Sequence, residues 1–371
     1  MKKPKIIWLN VSVFVITFLF AAIAVPYRAM THGFDGAEIA MATLCFVYCG
    51  MSITAGYHRL WSHKTYQAHS SLRFIFAIGG AFALQNSILH WSSDHRIHHK
   101  HVDNNDVDPY SAKKGFWYSH IGWMLREYQA HRYADYKNVR DLQKDKIVMW
   151  QHKYYLLLTI ATNVGIPLVF GLWHGDVISS LLLVGFLRLV LSHHTTFFIN
   201  SLAHIWGKQT YTEKNTARDN GFLAFFTFGE GYHNYHHIFE NDYRNGIRWW
   251  HYDPTKWLIK SASWMGLTWD LRKIPDFKIQ RAVMTMQFKK AEEALPCKKP
   301  KPLASSFGIS PRRDTSLTSI TSLMCFSASS GVTAMETSSV MTVISASISI
   351  PKASSSAIIG SRGPMKVSEP P

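Results

Sequence analysis

The chain has 371 residues, of which 47% are hydrophobic and 14% aromatic, and its formal net charge is +16. A basic chain can bind nucleic acid, but long apolar stretches are present and no nucleic-acid-binding motif is, so we expect the charge to flank membrane spans and to contact anionic lipid or substrate. Only four cysteines occur and none forms a Cys-x-x-Cys pair, which excludes a disulfide framework and a thiolate metal site.

Five apolar stretches are long enough to cross a hydrocarbon core of roughly 30 Å. Four contain no Asp, Glu, Lys or Arg, and the fifth is interrupted only by Arg188: Ile6–Pro26, Ile39–His58, Phe74–Ser93, Tyr154–Gly175 and Val177–Ile199. The first begins like a signal peptide, but its length and the lack of a convincing cleavage site favour a retained membrane helix.

Charge asymmetry predicts how these stretches cross the membrane. Lys and Arg are concentrated in the N-terminal residues, in residues 58–153 and in residues 200–290, whereas the connectors 26–38 and 174–176 hold one Arg between them. By the positive-inside tendency, the segments rich in Lys and Arg, namely the N-terminal residues, residues 58–153 and the residues after 200, are expected to be cytoplasmic. The predicted spans are residues 6–26, 38–57, 154–173 and 177–199.

The stretch Phe74–Ser93 is the exception to this pattern. Histidine motifs flank it on both sides, and a single crossing would place them on opposite sides of the membrane. We therefore expect a non-spanning helix over about 73–92, either interfacial, re-entrant or buried under the cytoplasmic part.

Nine histidines stand in spaced motifs at or beyond the predicted cytoplasmic ends of the spans. In His-x-x-His-His, positions i, i+3 and i+4 share one helix face, whereas a spacing of five suits an α-helix less well and requires the helix end to fray or turn. The ninth histidine follows Asn200 by four residues. The nine are His58, His63, His95, His98, His99, His204, His233, His236 and His237.

This number of imidazoles suits two metal ions better than one. Zinc sites usually close with three or four ligands, and a haem would need only two of these histidines. Two irons that change redox state could activate dioxygen, which zinc cannot do. Other histidines, His120 among them, are expected to have structural or solvated roles.

The composition changes after residue 295. The last 76 residues include 19 Ser and contain no Trp, Tyr or His. Such a segment cannot bury a core, so residues 296–371 are predicted to be a disordered tail that follows a domain of residues 1–295.

The chain resembles the membrane fatty acyl-CoA desaturases, in particular the delta-9, stearoyl-CoA type in a bacterial form. The resemblance covers about residues 10–275 and rests on motifs that occur in the order of the family. These are Gly56-Tyr57-His58-Arg59-Leu60-Trp61-Ser62-His63, Asp94-His95-Arg96-x-His98-His99-Lys100, Asp108-Pro109-Tyr110, residues 115–123, Asn200-Ser201-Leu202-Ala203-His204 and Gly229-Glu230-Gly231-Tyr232-His233-Asn234-Tyr235-His236-His237.

The resemblance implies an all-α integral membrane protein in which four transmembrane helices carry a cytosolic helical cap with a di-iron site. The nine histidines would hold two irons, with Asn200 reaching one of them through water, and an apolar tunnel would hold the acyl chain. Ser93 stands where eukaryotic members have an arginine that contacts CoA, so Arg126 is a candidate for the phosphate contact instead. The positions that match the family's acyl-CoA entrance are Gln85, Asn86, Trp91 and Asp94.

The sequence is therefore interpreted as a desaturase that forms a cis, delta-9 double bond with dioxygen as co-substrate. Its partners would be a fatty acyl-CoA or another acyl carrier or lipid, membrane lipid, and a separate electron donor such as ferredoxin or cytochrome b5 with its reductase; nucleic acid is not expected. The expected location is a bacterial inner membrane. Two alternatives stay open: a di-iron hydroxylase of fatty acids or lipids, and a metal-transporting membrane protein.

Overall fold

A computed structural model describes residues 4–129 and 135–294, which include none of the predicted Ser-rich tail over 296–371. The helices are α1 Trp8–Thr31, α2 Gly36–Ser62, α3 Ser70–Phe82, α4 Ile88–His101, α5 Phe116–His120, α6 Lys146–Lys153, α7 Tyr155–His174, α8 Val177–His204, α9 Gly221–Phe226, α10 His233–Ile238, α11 Pro254–Trp264 and α12 Asp276–Ala294. Two strands, β1 Gln67–Ala68 and β2 Thr268–Trp269, pair antiparallel. The regular secondary structure of the described part of the chain is thus almost entirely helical, as the sequence predicts.

Four helices, α1, α2, α7 and α8, are long and apolar enough to cross a membrane, which is the number that the sequence predicts. They differ in length. The 20 residues of α7 extend for about 30 Å, which is the thickness of a hydrocarbon core, whereas the 27 residues of α2 and the 28 of α8 extend for about 40 Å. The two longest helices therefore project beyond such a core, and their C-terminal turns carry histidines of the predicted metal site.

Polar caps fix the connectors at the opposite ends of the spans. Asp35 caps α2 in a capping box with Glu38, and Asp176 caps α8 by accepting a hydrogen bond from the backbone of Ser179. Side-chain contacts tie the two hairpins together here, because Arg28 pairs with Asp176 and His174 lies beside Asp35. The capping groups explain why α2 and α8 begin where they do.

The apolar stretch predicted as one non-spanning helix over 73–92 is two helices, α3 and α4. The chain turns between them because Leu84 and Asn86 adopt left-handed backbone conformations, with φ of 52° and 76°, and Ser87 then caps α4. At 13 residues, or about 20 Å, α3 is too short to cross a hydrocarbon core. It packs closely on α2, since a Cβ at Gly80 would lie 2.1 Å from the ring of Tyr57.

A fully buried arginine connects three of the apolar helices. Arg188 of α8 donates hydrogen bonds to the carbonyl oxygen of Phe82 at 2.8 Å and to Asn163 Oδ1 at 2.9 Å. Its guanidinium also lies 3.9 Å from the centroid of the Phe82 ring. The contacts join α8 to the end of α3 and to α7, next to the turn that carries Gln85 and Asn86.

A second buried arginine joins the helices after α8 to α2. Arg59 is 1% exposed and donates to Glu230, to Asp253 and to the carbonyl oxygen of Tyr243. One turn earlier on α2, the hydroxyl groups of Thr54 and Thr255 are hydrogen-bonded at 2.7 Å. These buried polar contacts hold residues 228–255 against the end of α2, where histidines of the predicted metal site lie.

Candidate metal centre

A π-helical turn brings His58 and His63 together. Residues Ser52–Ser62 form the last part of α2 as a π-helix, and the backbone N–H of His63 donates to the carbonyl oxygen of His58 at 3.1 Å. Hydrogen bonds from i to i+5 define a π-helix, so residues five apart lie on one face. The spacing that suits an α-helix poorly is therefore the spacing that this helix end requires, and the two imidazole centroids lie 4.8 Å apart.

The two His-x-x-His-His motifs lie on α4 and on α10, as their spacing predicts. On each helix an i, i+4 pair of histidines belongs to one group of imidazoles and the third histidine to an adjoining group. On α4 the pair is His95 and His99 and the single residue is His98, whereas on α10 the pair is His233 and His237 and the single residue is His236.

The result is two groups of imidazoles, in each of which the nitrogens that could bind a metal all lie within 4.8 Å of one another. We call them cluster 1, which has five members, and cluster 2, which has four. Cluster 1 consists of His58, His63, His95, His99 and His236, and cluster 2 of His98, His204, His233 and His237. The clusters adjoin, because the rings of His99 and His237 are stacked with centroids 4.3 Å apart.

The spacing of the Nε2 atoms fits ligands around an ion. Within the clusters, six pairs of Nε2 atoms lie between 2.8 and 3.3 Å apart. Two imidazole nitrogens at right angles on one metal, each bound at about 2.1 Å, are about 3.0 Å apart. The observed separations therefore match neighbouring positions of a shared coordination sphere.

Acceptors on the outer nitrogens fix which nitrogen faces the centre. His98 Nδ1 lies 2.9 Å from Asp108, and His99 Nδ1 lies 3.1 Å from Glu240. His204 Nδ1 lies 2.8 Å from the hydroxyl of Thr216, whose hydrogen is directed to a carboxylate oxygen of Asp103 at 2.7 Å. Each of these Nδ1 atoms is then the protonated one, so the corresponding Nε2 carries a lone pair.

Neutral rings alone cannot satisfy cluster 2. Its Nε2 atoms form a chain in which His204 meets His233 at 3.1 Å, His233 meets His237 at 3.0 Å, and His237 meets His98 at 3.3 Å. The two outer members present lone pairs, so the two inner rings offer at most two hydrogens for three contacts. At least one contact is unfavourable unless a cation lies among the nitrogens.

Cluster 1 has the same shortage of hydrogens. The single Nε2 of His236 faces His58 Nε2 and His99 Nε2, each at 3.0 Å. The outer nitrogen of His58 lies 2.9 Å from Glu230 Oε2, away from the ideal direction of a hydrogen bond, and that of His99 is paired with Glu240. One hydrogen on His236 cannot serve both contacts, so the residues present fit a cation in this cluster as well.

Burial keeps these imidazoles in the form that binds metals. Removal from water lowers the pKa of His99 to about 4, even though Glu240 acts in the opposite direction. It also lowers, well below the usual value, the pKa of His63, His95, His233, His236 and His237. A neutral imidazole is the species that ligates a metal, so these rings need lose no proton on binding near pH 7.

Sequence reasoning missed the oxygen atoms around the clusters. Glu230, to which the sequence analysis gave no role, is 2% exposed and contacts both His58 and Arg59. Burial raises the pKa of its carboxyl, but these two basic neighbours outweigh that effect and the pKa is lowered. Asp108 lies in a short motif with Tyr110, and an acid ten residues after His98 was the available signal.

The predicted substrate-contacting residues lie on or near the turn between α3 and α4. Gln85 donates its amide to Thr196 of α8 at 2.8 Å, and the backbone N–H of Asn86 donates to the hydroxyl of Tyr155 at 2.8 Å. Trp91 stacks on the ring of His95 with centroids 4.8 Å apart, and Asp94 is buried one residue before it. Their contacts with a substrate stay predictions.

Two further predicted residues lie outside the clusters. Asn200 is half-buried at the end of the α-helical part of α8, four residues before His204, and its link to a metal through water stays a prediction. Arg126 is half-buried and donates to the carbonyl oxygen of Pro4 at 2.9 Å. Its predicted phosphate contact also remains open.

The fold and the two clusters together define a class of protein. It is a helical membrane protein in which two long spans and two cap helices gather nine histidines into a candidate two-metal centre. Comparison with known proteins agrees with this class, because the sequence profile of the fatty acid desaturase family matches residues 37–269. The chain belongs to the fatty acid desaturase family.

Individual relatives extend the comparison. The chain is 45% identical over 242 residues to acyl-CoA desaturase 1 of Saccharomyces cerevisiae, a match that covers 65% of this chain and 47% of the yeast protein. It is 35% identical over 277 residues to stearoyl-CoA desaturase 5 of Bos taurus, covering 73% and 81% of the two chains. It is 36% identical over 271 residues to the sn-2 palmitoyl-lipid 9-desaturase of a Nostoc species, covering 71% and 90%. The chain spans about half the length of the yeast relative.

Proposed function

We propose that the protein is an oxygen-dependent fatty acyl desaturase that uses two iron ions. The reaction removes one hydrogen from each of two adjacent methylenes. A saturated acyl chain, dioxygen, two electrons and two protons give a cis-monounsaturated chain and two waters. The methylene hydrogens have no acidity, so no general base on the chain could remove them, and a bound redox metal is required.

The observation that carries this proposal is the set of close Nε2 contacts for which neutral imidazoles have too few hydrogens. They support a cation in each cluster, and imidazole ligands are compatible with iron. Iron bound there would supply the one-electron chemistry needed to activate dioxygen. The chain's own part is to hold the two sites side by side through Asp108, Glu240 and Thr216, and to keep the ligands buried from water.

The substrate that we propose is an acyl-CoA, with the double bond at the ninth carbon. This choice is supported by the names of the yeast and bovine relatives, whereas the name of the Nostoc relative specifies a palmitoyl lipid and the ninth position. Trp91 is the residue best placed to contact the reacting segment, because its ring covers His95 of cluster 1. Gln85, Asn86, Asp94 and Arg126 are proposed to contact the rest of the substrate.

We also propose that the clusters and the cap face the cytoplasm and that electrons come from a separate protein. The sidedness rests on the excess of Lys and Arg in residues 58–153 and 200–290. A small ferredoxin, or cytochrome b5 with its reductase, would provide the two electrons.

Expression in a host that lacks its own desaturase tests the activity. Gas chromatography of the fatty acids should show a cis-monoene with its double bond at the ninth carbon. His98→Ala removes a ligand of cluster 2 and His236→Ala removes one of cluster 1, so each variant should abolish the monoene. The matched control is His101→Ala, which changes the same helix, α4, outside both clusters.

Two other results, one from the same fatty acid assay and one from an iron transport assay, would overturn the proposal. A hydroxy acid in place of the monoene would identify a hydroxylase with the same metal site. Iron transport into vesicles, with no change in fatty acids, would identify a transporter. Iron content measured on the purified protein should be about two per chain in the wild type, and a monoene made by His98→Ala or His236→Ala would contradict the ligand assignment.

A further inference from the structure

Six aromatic side chains, five exposed and one half-buried, form a continuous surface on helices and loops that follow the last span. Each ring contacts the next one, with centroid separations between 4.9 and 5.8 Å. In order of contact, this aromatic face consists of Trp206, Phe222, Phe226, Phe225, Tyr252 and Trp257. Exposed apolar surface of this continuity marks a site of interaction with protein or membrane.

The short helix α9 has its apolar stripe on the outside. Phe222, Phe225 and Phe226, spaced i, i+3 and i+4, are 64%, 57% and 46% exposed, while Leu223 and Ala224 are buried against the rest of the molecule. A helix that faces water on this side would present polar residues at these positions. The pattern therefore predicts an apolar environment outside α9.

Phe228, two residues after α9, connects this surface to the side of a candidate membrane span. Phe228 lies so close to Gly50 of α2 that a Cβ there would be 2.1 Å from its ring, and it also contacts the ring of Phe46 at 5.5 Å. About 20 residues of an α-helix span a hydrocarbon core of roughly 30 Å. With the start of α2 at Gly36 taken as one boundary of this core, Gly50 lies about 9 Å inside the other boundary. The chain beside α9 thus reaches the depth of the lipid.

Cationic side chains accompany exposed tryptophans near the aromatic face. The guanidinium of Arg248 lies 5.2 Å from the ring centroid of Trp250, and Lys260 Nζ lies 5.9 Å from that of Trp264, which is 77% exposed. Tryptophan and tyrosine with neighbouring Arg or Lys are typical of the headgroup layer, where rings enter the acyl boundary and cations reach phosphates.

We propose that the aromatic face is immersed in the interfacial layer of the lipid bilayer. The helices that follow the last span would then contact the membrane directly, in addition to being attached to it through the spans. A second copy of the chain or another protein is the alternative occupant. Continuity with the lipid-exposed side of α2, together with the depth of Gly50, favours lipid. The proposal does not depend on the reaction that the metal centre catalyses.

The aromatic face is directly connected to the candidate metal centre. Gly231 packs against α9 so tightly that a Cβ would lie 2.2 Å from the backbone nitrogen of Ala224, and its carbonyl oxygen accepts a hydrogen bond from Asn220 at 2.8 Å. Glu230 and the ligand helix α10 flank this glycine. The bilayer would therefore set the height of one ligand helix through α9.

Spin labels report whether α9 lies in lipid. Cysteine is introduced singly as Phe222→Cys or Phe225→Cys after Cys297 and Cys325 are replaced by Ser; Cys45 and Cys49 are buried. References are Val169→Cys on the exposed side of α7, and Lys137→Cys, whose ammonium pairs with Asp135 at the surface. The labelled proteins are placed in vesicles of phosphatidylcholine and phosphatidylglycerol, and collisions with oxygen and with a water-soluble nickel chelate are measured.

The proposal expects labels at Phe222 and Phe225 to collide several-fold more with oxygen, relative to nickel, than the label at Lys137, and to approach the ratio at Val169. Nickel accessibility equal to that at Lys137 would show that the face is in water. Exclusion of both oxygen and nickel would show that a protein covers it. Either of these results overturns the proposal, and both can be obtained without any enzymatic assay.

Discussion

Replacing Asp108 by Asn tests whether the buried acids support the metal sites. Asp108 is 0% exposed, and its Oδ1 accepts from His98 Nδ1 at 2.9 Å and from the backbone of Tyr110 at 3.2 Å, while Oδ2 accepts from the backbone of Asp103 at 3.0 Å. The amide keeps the shape of the side chain but removes the charge and one of the two acceptor oxygens. His98 then loses the partner that fixes its orientation and raises the basicity of Nε2.

The expected loss is a factor of about 10 to 100 in metal affinity, which corresponds to about 1.4–2.7 kcal/mol. It should be confined to cluster 2, because no member of cluster 1 contacts this carboxylate among the described residues. Competition between the purified protein and an Fe²⁺ chelator under anaerobic conditions measures this loss. One tightly bound iron per chain should remain, and desaturation should fall by a similar factor.

Asp106→Asn is the matched control, since it removes the same charge two residues away from an exposed position. Two results would refute the reasoning. Equal weakening of both sites would indicate a general loss of structure, and unchanged affinity would show that the carboxylate does not support His98.

Two further predictions concern single contacts. Thr216→Val leaves the buried Nδ1 of His204 without an acceptor, so iron should leave cluster 2 about tenfold more readily, whereas Thr216→Ser, which keeps the hydroxyl, should bind like the wild type in the same chelator assay. Gly50→Ala places a Cβ 2.1 Å from the ring of Phe228 and should destabilise the protein by about 1–3 kcal/mol. Thermal unfolding in detergent should show this loss and its partial recovery in the double variant with Phe228→Leu; a Gly50→Ala protein as stable as the wild type would contradict the close packing.

The four apolar spans and the gathering of the nine histidines could be predicted because their signals are local. That these histidines bind metal stays a prediction. Apolar length predicts a membrane helix without knowledge of its neighbours, and i, i+3, i+4 spacing predicts a shared face on α4 and α10. The division of the histidines between the two clusters could not be predicted in this way. Nothing in the spacing of His95, His98 and His99 says that the middle residue serves a different site from the other two, since this depends on how α4 crosses α10.

Other features required the three-dimensional arrangement of the chain. His58 and His63 share a face because the end of α2 is π-helical, a geometry with no sequence propensity strong enough to predict it. The turn at Leu84 contains neither glycine nor proline, so Asn86 and the cap Ser87 were the local signals for the division of the stretch 73–92 into two helices. The acceptors on Nδ1 come from separate loops, and only the fold brings Thr216 to His204 or Glu230 to His58.

The buried arginine of α8 has a consequence for how the protein is assembled in a membrane. An arginine near the centre of an isolated apolar helix costs about 2.5–3.5 kcal/mol on insertion scales, so α8 is the least favourable of the four spans to insert alone. Two of the groups that accept hydrogen bonds from Arg188, the Phe82 carbonyl and Asn163, belong to α3 and α7, which are synthesised earlier. The last span is therefore expected to reach its final position only after α3 and α7 are present to accept these hydrogen bonds. Through Arg188, the integration of α8 into the membrane then depends on the helices that precede it.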